Sequence, residues 1–423
     1  MSMKKKIFGI FGPILISAVL LLVFFFAPFK IDMGSKRVLA DASTSMATNV
    51  LRGNAIKNKA IGSKDYVPFF GSSELSRISP FHPSVLADKY DRNYRPFLLG
   101  APGTQSLTQA LMMQSMGKNL SHKKVVFIIS PQWFVKEGVT NDYFNAYYSE
   151  LQTYQWVSAL KKITPDDQYL ATRLMDFPKV KEDKRLDSAL KSIISGTLPS
   201  ASDKRYIDLM FNMFSREDEL FGKIGMINKD KAIEKAERRL PDTYDVNELD
   251  QLAEKIGQKA TNNNSFEISN PFFDKRLKKK LNSLENSQVN WDYRFSPEFS
   301  DLQLVLSQLA QDNAEVLFII PPVNKNWSNF TGLSQEMLQG FAKKVKYQLE
   351  SQGFNNIADF TKNCDTKYFM ADTIHLGWRG WLAADQRIKP FLENSSTKTP
   401  KYQLDSSFYS KEWQQKEPED IKK

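Results

Sequence analysis

Apolar residues follow two rhythms along the chain. Short dense runs are closed by Gly, Ser or Pro. They are Tyr66-Val67-Pro68-Phe69-Phe70 before Gly71, Pro96-Phe97-Leu98-Leu99 before Gly100, Val125–Ile129 before Ser130-Pro131, Val316–Ile320 before Pro321-Pro322, and a weaker Asn356–Phe360. Dense runs, unlike alternating ones, fit strands buried on both faces. Between them apolar positions recur at helical spacing: Leu107, Ala110, Leu111; Leu302, Val305, Leu306, Leu309; and Leu338, Phe341, Val345, Leu349 between a Ser334 cap and Gly353. The alternation predicts an α/β fold with a parallel sheet of about five strands and helices on both faces.

A polar stretch, 140–295, interrupts this rhythm. Val246, Leu249, Leu252 and Ile256 mark one of its helices, and Leu240-Pro241 and Asn262-Asn263-Asn264 break it. We therefore expect a core built from 63–139 and 296–393, with 140–295 as a large helical insertion. Residues 31–62 read as a stalk or a first helix, and 394–423 as a polar tail whose aromatics can dock.

At the amino end Lys4, Lys5 and Lys6 precede Ile7–Phe29, 23 residues without Asp, Glu, Lys or Arg. At about 1.5 Å per helical residue such a run spans a bilayer core of about 30 Å. It is longer than the apolar part of a cleaved signal, and Ala40-Asp41-Ala42 lies too far on to be its cleavage site. Residues 1–30 are thus expected to be a cytoplasmic amino end and a single transmembrane signal anchor, with the remainder extracellular at the cell membrane. Lys30, Lys36 and Arg37 on the far side oppose that orientation.

Lys and Arg number 58 against 48 Asp and Glu, a net charge of +10, which favours anionic partners. The candidates are a polyanionic polymer or an acidic lipid face. An exterior domain makes nucleic acid an unexpected partner. Lys275, Arg276, Lys278, Lys279 and Lys280 are one polymer-binding stretch, or else a solvated helix face. The single Cys364 excludes an intrachain disulfide and Cys-cluster metal sites, and three His (His82, His122, His375) leave no His-rich site. No metal or cofactor is expected.

In parallel sheets reactive groups sit in loops at the carboxyl ends of strands. The first such loop, Gly71-Ser72-Ser73-Glu74, offers a hydroxyl at a helix start, either as a nucleophile or as an ordinary N-cap. Far downstream, Asp372-Thr373-Ile374-His375 places a carboxylate three residues before an imidazole, the pairing that a hydroxyl nucleophile needs for its base and that base's orientation. His375 is equally readable as a structural His bonded to Asp372. His82 is a weaker candidate near the same loop, and His122 reads as surface. Gly103 after the second strand and Gln132 after the third can supply donors to an oxyanion.

Taken together, Ser after strand one, Gly after strand two, an amide after strand three and Asp-x-x-His near the end resemble the SGNH (GDSL-type) hydrolases. Phe-Phe-Gly-Ser-Ser-Glu-Leu-Ser (69–76), Ile-Ile-Ser-Pro-Gln-Trp-Phe (128–134), Phe-Ile-Ile-Pro-Pro-Val-Asn (318–324) and Asp-Thr-Ile-His-Leu-Gly-Trp (372–378), behind one apolar N-terminal run, resemble the DltD family of D-alanyl-lipoteichoic acid biosynthesis in Gram-positive bacteria. The likeness covers nearly the whole chain.

This resemblance implies an SGNH-like three-layer sandwich. It implies Ser73, rather than Ser72, as nucleophile, His375 as base and Asp372 as its orienter, with the N–H groups of Ser73 and Gly103 and the Gln132 amide as oxyanion donors. Two positions depart from the superfamily pattern: Ser72 stands where an Asp is usual, and Gln132 where an Asn is. The implied role is transfer of D-alanyl esters to lipoteichoic acid outside the membrane. Its partners would be a membrane-bound O-acyltransferase of the same pathway and, as a further candidate, a D-alanyl carrier protein. Trp133 and Trp378 are candidates for lining the substrate site and excluding water. Two alternatives use the same residues or none: an esterase or thioesterase clearing misacylated carrier, and a non-catalytic scaffold working through the insertion.

Overall fold

The computed structural model describes residues 3–26, 31–394 and 399–422. At its centre are five parallel strands, β1 (Tyr66–Phe70), β2 (Arg95–Leu99), β3 (Lys124–Ile128), β4 (Glu315–Ile320) and β5 (Ile357–Asp359), in the order β2-β1-β3-β4-β5. Each dense apolar run of the sequence forms a strand at its expected place. The weakest run makes the shortest strand, an edge whose three residues pair only with β4. Pro68 is tolerated in inner strand β1 because the ladder to β3 begins one residue later, with Phe69 opposite Val126.

Successive strand residues point to opposite faces, and both faces are covered. Phe70, Phe97, Leu99, Val125, Phe127, Val316, Phe318 and Ile320 pack with Leu107, Leu111, Leu302, Val305 and Phe341 on one side. Phe69, Leu98, Val126, Ile128, Leu317 and Ile319 pack with Val85, Leu86, Trp381, Leu382 and Ile388 on the other. This two-sided burial is why the strands read as continuous rather than alternating. The helix Ser106–Met116 is buried almost all round, wedged beneath the helices Glu298–Gln311 and Glu150–Ala159.

Residues 31–62, read from sequence as a stalk or first helix, contain the helices Lys36–Ser45, Thr48–Arg52 and Ala55–Gly62. Their Leu39, Ala42, Val50, Leu51, Ile56, Ala60 and Ile61 join the first apolar cluster. The region 140–295 holds helices including Ala201–Phe221 and Val246–Ala260. The tail folds back as Ser406–Tyr409 and Lys411–Gln415, burying Phe408 and Trp413. Lys344 Nζ secures it by donating to the carbonyls of Arg294, Gln414 and Lys416.

A helix also spans Met3–Phe26. The expected membrane run Ile7–Phe29 lies partly outside the described residues, as do 395–398 of the tail. Among the described residues no helix is long and apolar enough to cross a membrane.

Candidate active site

Strand order changes direction between β1 and β3: the chain leaves β1 outward to β2 and returns on the other side. Crevices at the carboxyl ends of strands form at such switch points. The loop after β1 is drawn tight there. Gly71 carbonyl accepts from Thr104 Oγ1 and Gln109 Nε2, each at 2.7 Å. Gly100 lies so close to it that a Cβ would stand 2.1 Å from the Gly71 oxygen. A 3-10 turn, Ser73–Ser76, follows at once, so Ser73 is its first residue. Ser76 Oγ closes the turn onto the Ser73 carbonyl at 2.7 Å.

Ser73 Oγ lies 2.6 Å from His375 Nε2, across 302 residues of sequence. His375 Nδ1 is 2.9 and 3.0 Å from the two oxygens of Asp372. The Asp-x-x-His spacing has a local cause. Asp372 Oδ1 also accepts the backbone N–H groups of Ile374 and His375, each at 3.0 Å, so the carboxylate caps the turn that presents the imidazole. Neighbouring segments brace this loop: Ser269 N–H donates to the Ala371 carbonyl and Asn324 N–H to the Thr373 carbonyl.

Asp372 is fully buried, and a buried carboxylate persists only when paired. Its partner, besides His375, is Arg77 Nη1 on Oδ2. Burial pushes the Asp372 carboxyl up, but His375 and Arg77 together outweigh it and hold the group below its ordinary value. Arg77 directly follows the Ser73–Ser76 turn, and its guanidinium sits 5.3 Å from the centre of the Phe272 ring. One short segment thus grips both ends of the Asp372–His375 pair, Ser73 at the imidazole and Arg77 at the carboxylate. Glu74, between them, is buried; its Oε1 accepts Ser72 N–H at 2.6 Å. Burial raises its carboxyl above the ordinary range against the opposing pull of His375, backbone N–H groups and Arg77.

The candidate oxyanion donors lie around this turn. Gly103 has φ +96°, a conformation that favours glycine, and its N–H donates to Ser72 Oγ at 3.2 Å. A Cβ there would meet the Tyr143 ring at 2.1 Å. Ser72 holds the Gly103 loop through that bond and also donates to the Ala101 carbonyl at 3.3 Å. Gln132 lies in the turn Pro131–Phe134 after β3, and its Oε1 is buried with no hydrogen-bond partner among the described residues.

Other sequence candidates take different positions. Trp133 is sunk in the core, edge-on to Phe127 at 6.4 Å, and is not brought to the surface of the site. Trp378 starts the helix Trp378–Glu393 and packs half-buried against the second apolar cluster. His82 is buried, accepts Ser84 N–H at Nδ1 and so presents Nε2–H to the Leu75 carbonyl, bracing the Ser73–Ser76 turn. Burial lowers this imidazole to about 4. His122 sits on the surface in a left-handed turn at φ +58°. Lys275, Arg276, Lys278, Lys279 and Lys280 are all exposed on irregular helical turns just after Phe272, the ring against Arg77. Among the described residues no group of three or more His, Cys, Asp or Glu is placed to hold a metal.

Arg77 and Glu74 escaped the sequence reading. The available signal was spacing: Arg77 follows Ser73 by four positions, one turn along the same segment.

The family model described as DltD protein matches residues 43–393. The chain is 44% identical over 418 residues to Protein DltD of Lacticaseibacillus rhamnosus, an alignment covering 98% of each chain. It is 31% identical over 396 residues to Protein DltD of Bacillus subtilis (strain 168), covering 92% of this chain and 98% of the relative. Against Protein DltD of Staphylococcus aureus (strain NCTC 8325 / PS 47) it is 33% identical over 393 residues, covering 90% and 96%.

Proposed function

The chain belongs to the DltD family, and from that premise we propose that it is a membrane-anchored, extracellular serine acyltransferase of SGNH type that places D-alanine on lipoteichoic acid through an acyl-Ser73 intermediate. The observation that carries the reading is the 2.6 Å contact between Ser73 Oγ and His375 Nε2, with Asp372 behind the imidazole. The uncharged run Ile7–Phe29 supports the anchor. The net charge of +10 and the exposed cations at 275–280, next to Phe272, suit a polyanionic acceptor.

His375 Nε2 takes the Ser73 proton as Oγ bonds to the acyl carbon. Charge gathers on the former carbonyl oxygen, where Ser73 N–H, Gly103 N–H and the Gln132 amide are the candidate donors. The Gly103 N–H, now on Ser72 Oγ, turns to the oxyanion as the acyl group enters. The donor's leaving group departs with the proton from His375. A polymer hydroxyl then attacks the acyl-Ser73 ester, gives its proton to His375, and Ser73 leaves by taking that proton back. Asp372 stabilises the imidazolium in both halves without itself being protonated. The partners in this reading are a membrane-bound O-acyltransferase, a D-alanyl carrier upstream, and the polymer. A hydrolase of misacylated carrier would differ only in using water for the second attack.

The test is covalent trapping. A serine-reactive fluorophosphonate should label Ser73 in the wild type, and His375→Ala should slow labelling by about 10²–10⁴-fold. Ser73→Ala in cells should abolish D-alanine ester on the wall polymer while the protein stays folded. Unchanged ester would reject the acyl-Ser73 reading and leave the scaffold.

A further inference from the structure

We propose that the exposed apolar side chains around the root of the N-terminal helix, chiefly Phe221, Ile224 and Ile227 with Leu209 and Met213 beyond them, form a face that lies on the bilayer and sets the orientation of the α/β body above it. This rests on the anchoring reading of the amino end.

The helix Ala201–Phe221 has two unlike sides. Ile207, Met210, Phe211 and Phe214 face the core cluster. Leu209 and Met213, one turn apart, face outward and are exposed. Past the helix the chain carries Ile224 and Ile227, 61% and 75% exposed. No other large hydrophobic residue described is more exposed than Ile227. Apolar side chains clustered in this way on a surface mark contact with a partner or a membrane.

The N-terminal helix identifies the occupant. Its last turn is seated on this same segment. Phe24 lies 6.5 Å from the Phe221 ring, and Arg216 Nε donates to the Phe25 carbonyl at 2.8 Å. The segment is also tied to the first residues of the body. Asn49 Nδ2 bonds the Ile224 carbonyl at 2.9 Å, Asn228 Nδ2 bonds Asp41 at 2.7 Å, and Lys229 N–H bonds Thr44 Oγ1 at 3.1 Å. The described side chains of the helix itself, from Phe11 to Phe24, are largely exposed and apolar. A bilayer that takes up those side chains extends around the helix root, where Phe221 lies against Phe24 and the chain runs on to Ile224 and Ile227 three and six residues later. Three anchored points close to the helix, rather than the helix alone, would limit tilting of the body.

The experiment uses the full chain in lipid vesicles with Cys364→Ser and one spin-labelled cysteine at a time: Val19→Cys, Ile224→Cys, Ile227→Cys or Glu412→Cys. Collision with oxygen, which partitions into lipid, is compared with collision with a water-soluble nickel chelate. Sites 19, 224 and 227 should favour oxygen, and site 412 should favour nickel. Nickel-accessible labels at 224 and 227 with a lipid-like label at 19 would overturn the inference and leave the anchor standing. A water-exposed label at 19 would instead overturn the anchoring reading. Labels at 224 and 227 shielded from both reagents would point to a protein covering this face and would also reject the bilayer. Fluorophosphonate labelling of Ser73 in each variant confirms that the body is folded.

Discussion

Arg77 and Asp372 form an ion pair that ties the turn carrying Ser73 to the loop carrying His375, 295 residues apart in sequence. Asp372 is thereby shared between two cations once His375 is protonated. The arrangement gives Arg77 two effects that pull in different directions: it clamps the geometry, and it draws charge from the carboxylate that supports the imidazolium.

Arg77→Ala separates those effects. Without the guanidinium, the buried Asp372 carboxyl loses one of the two cations that hold it below its ordinary value, so it should titrate at higher pH than in the wild type. The carboxyl carbon resonance of Asp372, followed against pH, reads this. The rate of Ser73 acylation should also fall as the clamp loosens. Arg77→Lys should return the Asp372 titration towards its wild-type position. An Arg77 that contributed geometry alone would slow acylation and leave that titration where it is.

Gln132→Leu tests the amide donor. Loss of one donor aimed at a developing oxyanion costs about 10²–10³-fold in rate. The variant's fold should be unaffected, since Gln132 Oε1 makes no hydrogen bond that would be lost. Labelling rate and thermal midpoint, measured together, check this.

Gly103→Ala brings two faults, a positive φ and a clash with the Tyr143 ring. The exposed Tyr143 ring can swing away, whereas the backbone strain of about 1–3 kcal/mol remains. Gly103→Ala should therefore slow acylation of Ser73, and adding Tyr143→Ala should not restore it. Recovery in the double variant would show that sterics alone were at fault.

Lys57 is fully buried, with Nζ on Ser115 Oγ at 2.8 Å and on Asn54 Oδ1 at 3.1 Å. Burial pushes its ammonium down to about 7, against the pull of Asp218. Between that value and the ordinary 10.5 the unfolded chain holds a proton that the folded chain has lost, so stability rises with pH there. Relative to Lys57→Met, the wild type should gain on the order of 1–2 kcal/mol between about pH 7 and pH 9. Denaturant titrations of both proteins at the two pH values measure the difference.

Trp413→Ala tests the docked tail. Its ring meets Phe408 edge-on at 4.7 Å, and Nε1 donates to Gln348 Oε1 at 3.1 Å. The loss should be about 3–5 kcal/mol, seen as a lower denaturation midpoint. It would also free the carbonyls that hold Lys344.

Much of the fold was legible because local pattern and tertiary need agree. The dense runs ending at Phe70, Leu99, Ile128 and Ile320 are apolar on both sides because the sheet is covered on both faces. Ser334 and Gly353 bound a helix through their own capping chemistry. Trp133 illustrates the limit. An aromatic beside a donor residue reads alike whether it lines a pocket or fills a core, and only the direction of its 3-10 turn sends it against Phe127. The three helices between Lys36 and Gly62 were also obscure, because each is short and buries its apolar side only against strands and helices of the finished fold.

By itself, then, the order of residues settled the α/β class, the strand positions, the loops able to carry chemistry and, through Asp-x-x-His, the local pairing of Asp372 with His375, since all of these depend on neighbours within a few positions. The approach of Ser73 to His375, the grip of Arg77 on Asp372 and the seating of Phe24 on Phe221 belong to the tertiary structure alone. Contacts between residues hundreds of positions apart leave no periodicity in a sequence, and they exist only once the sheet and its helical layers have closed around them.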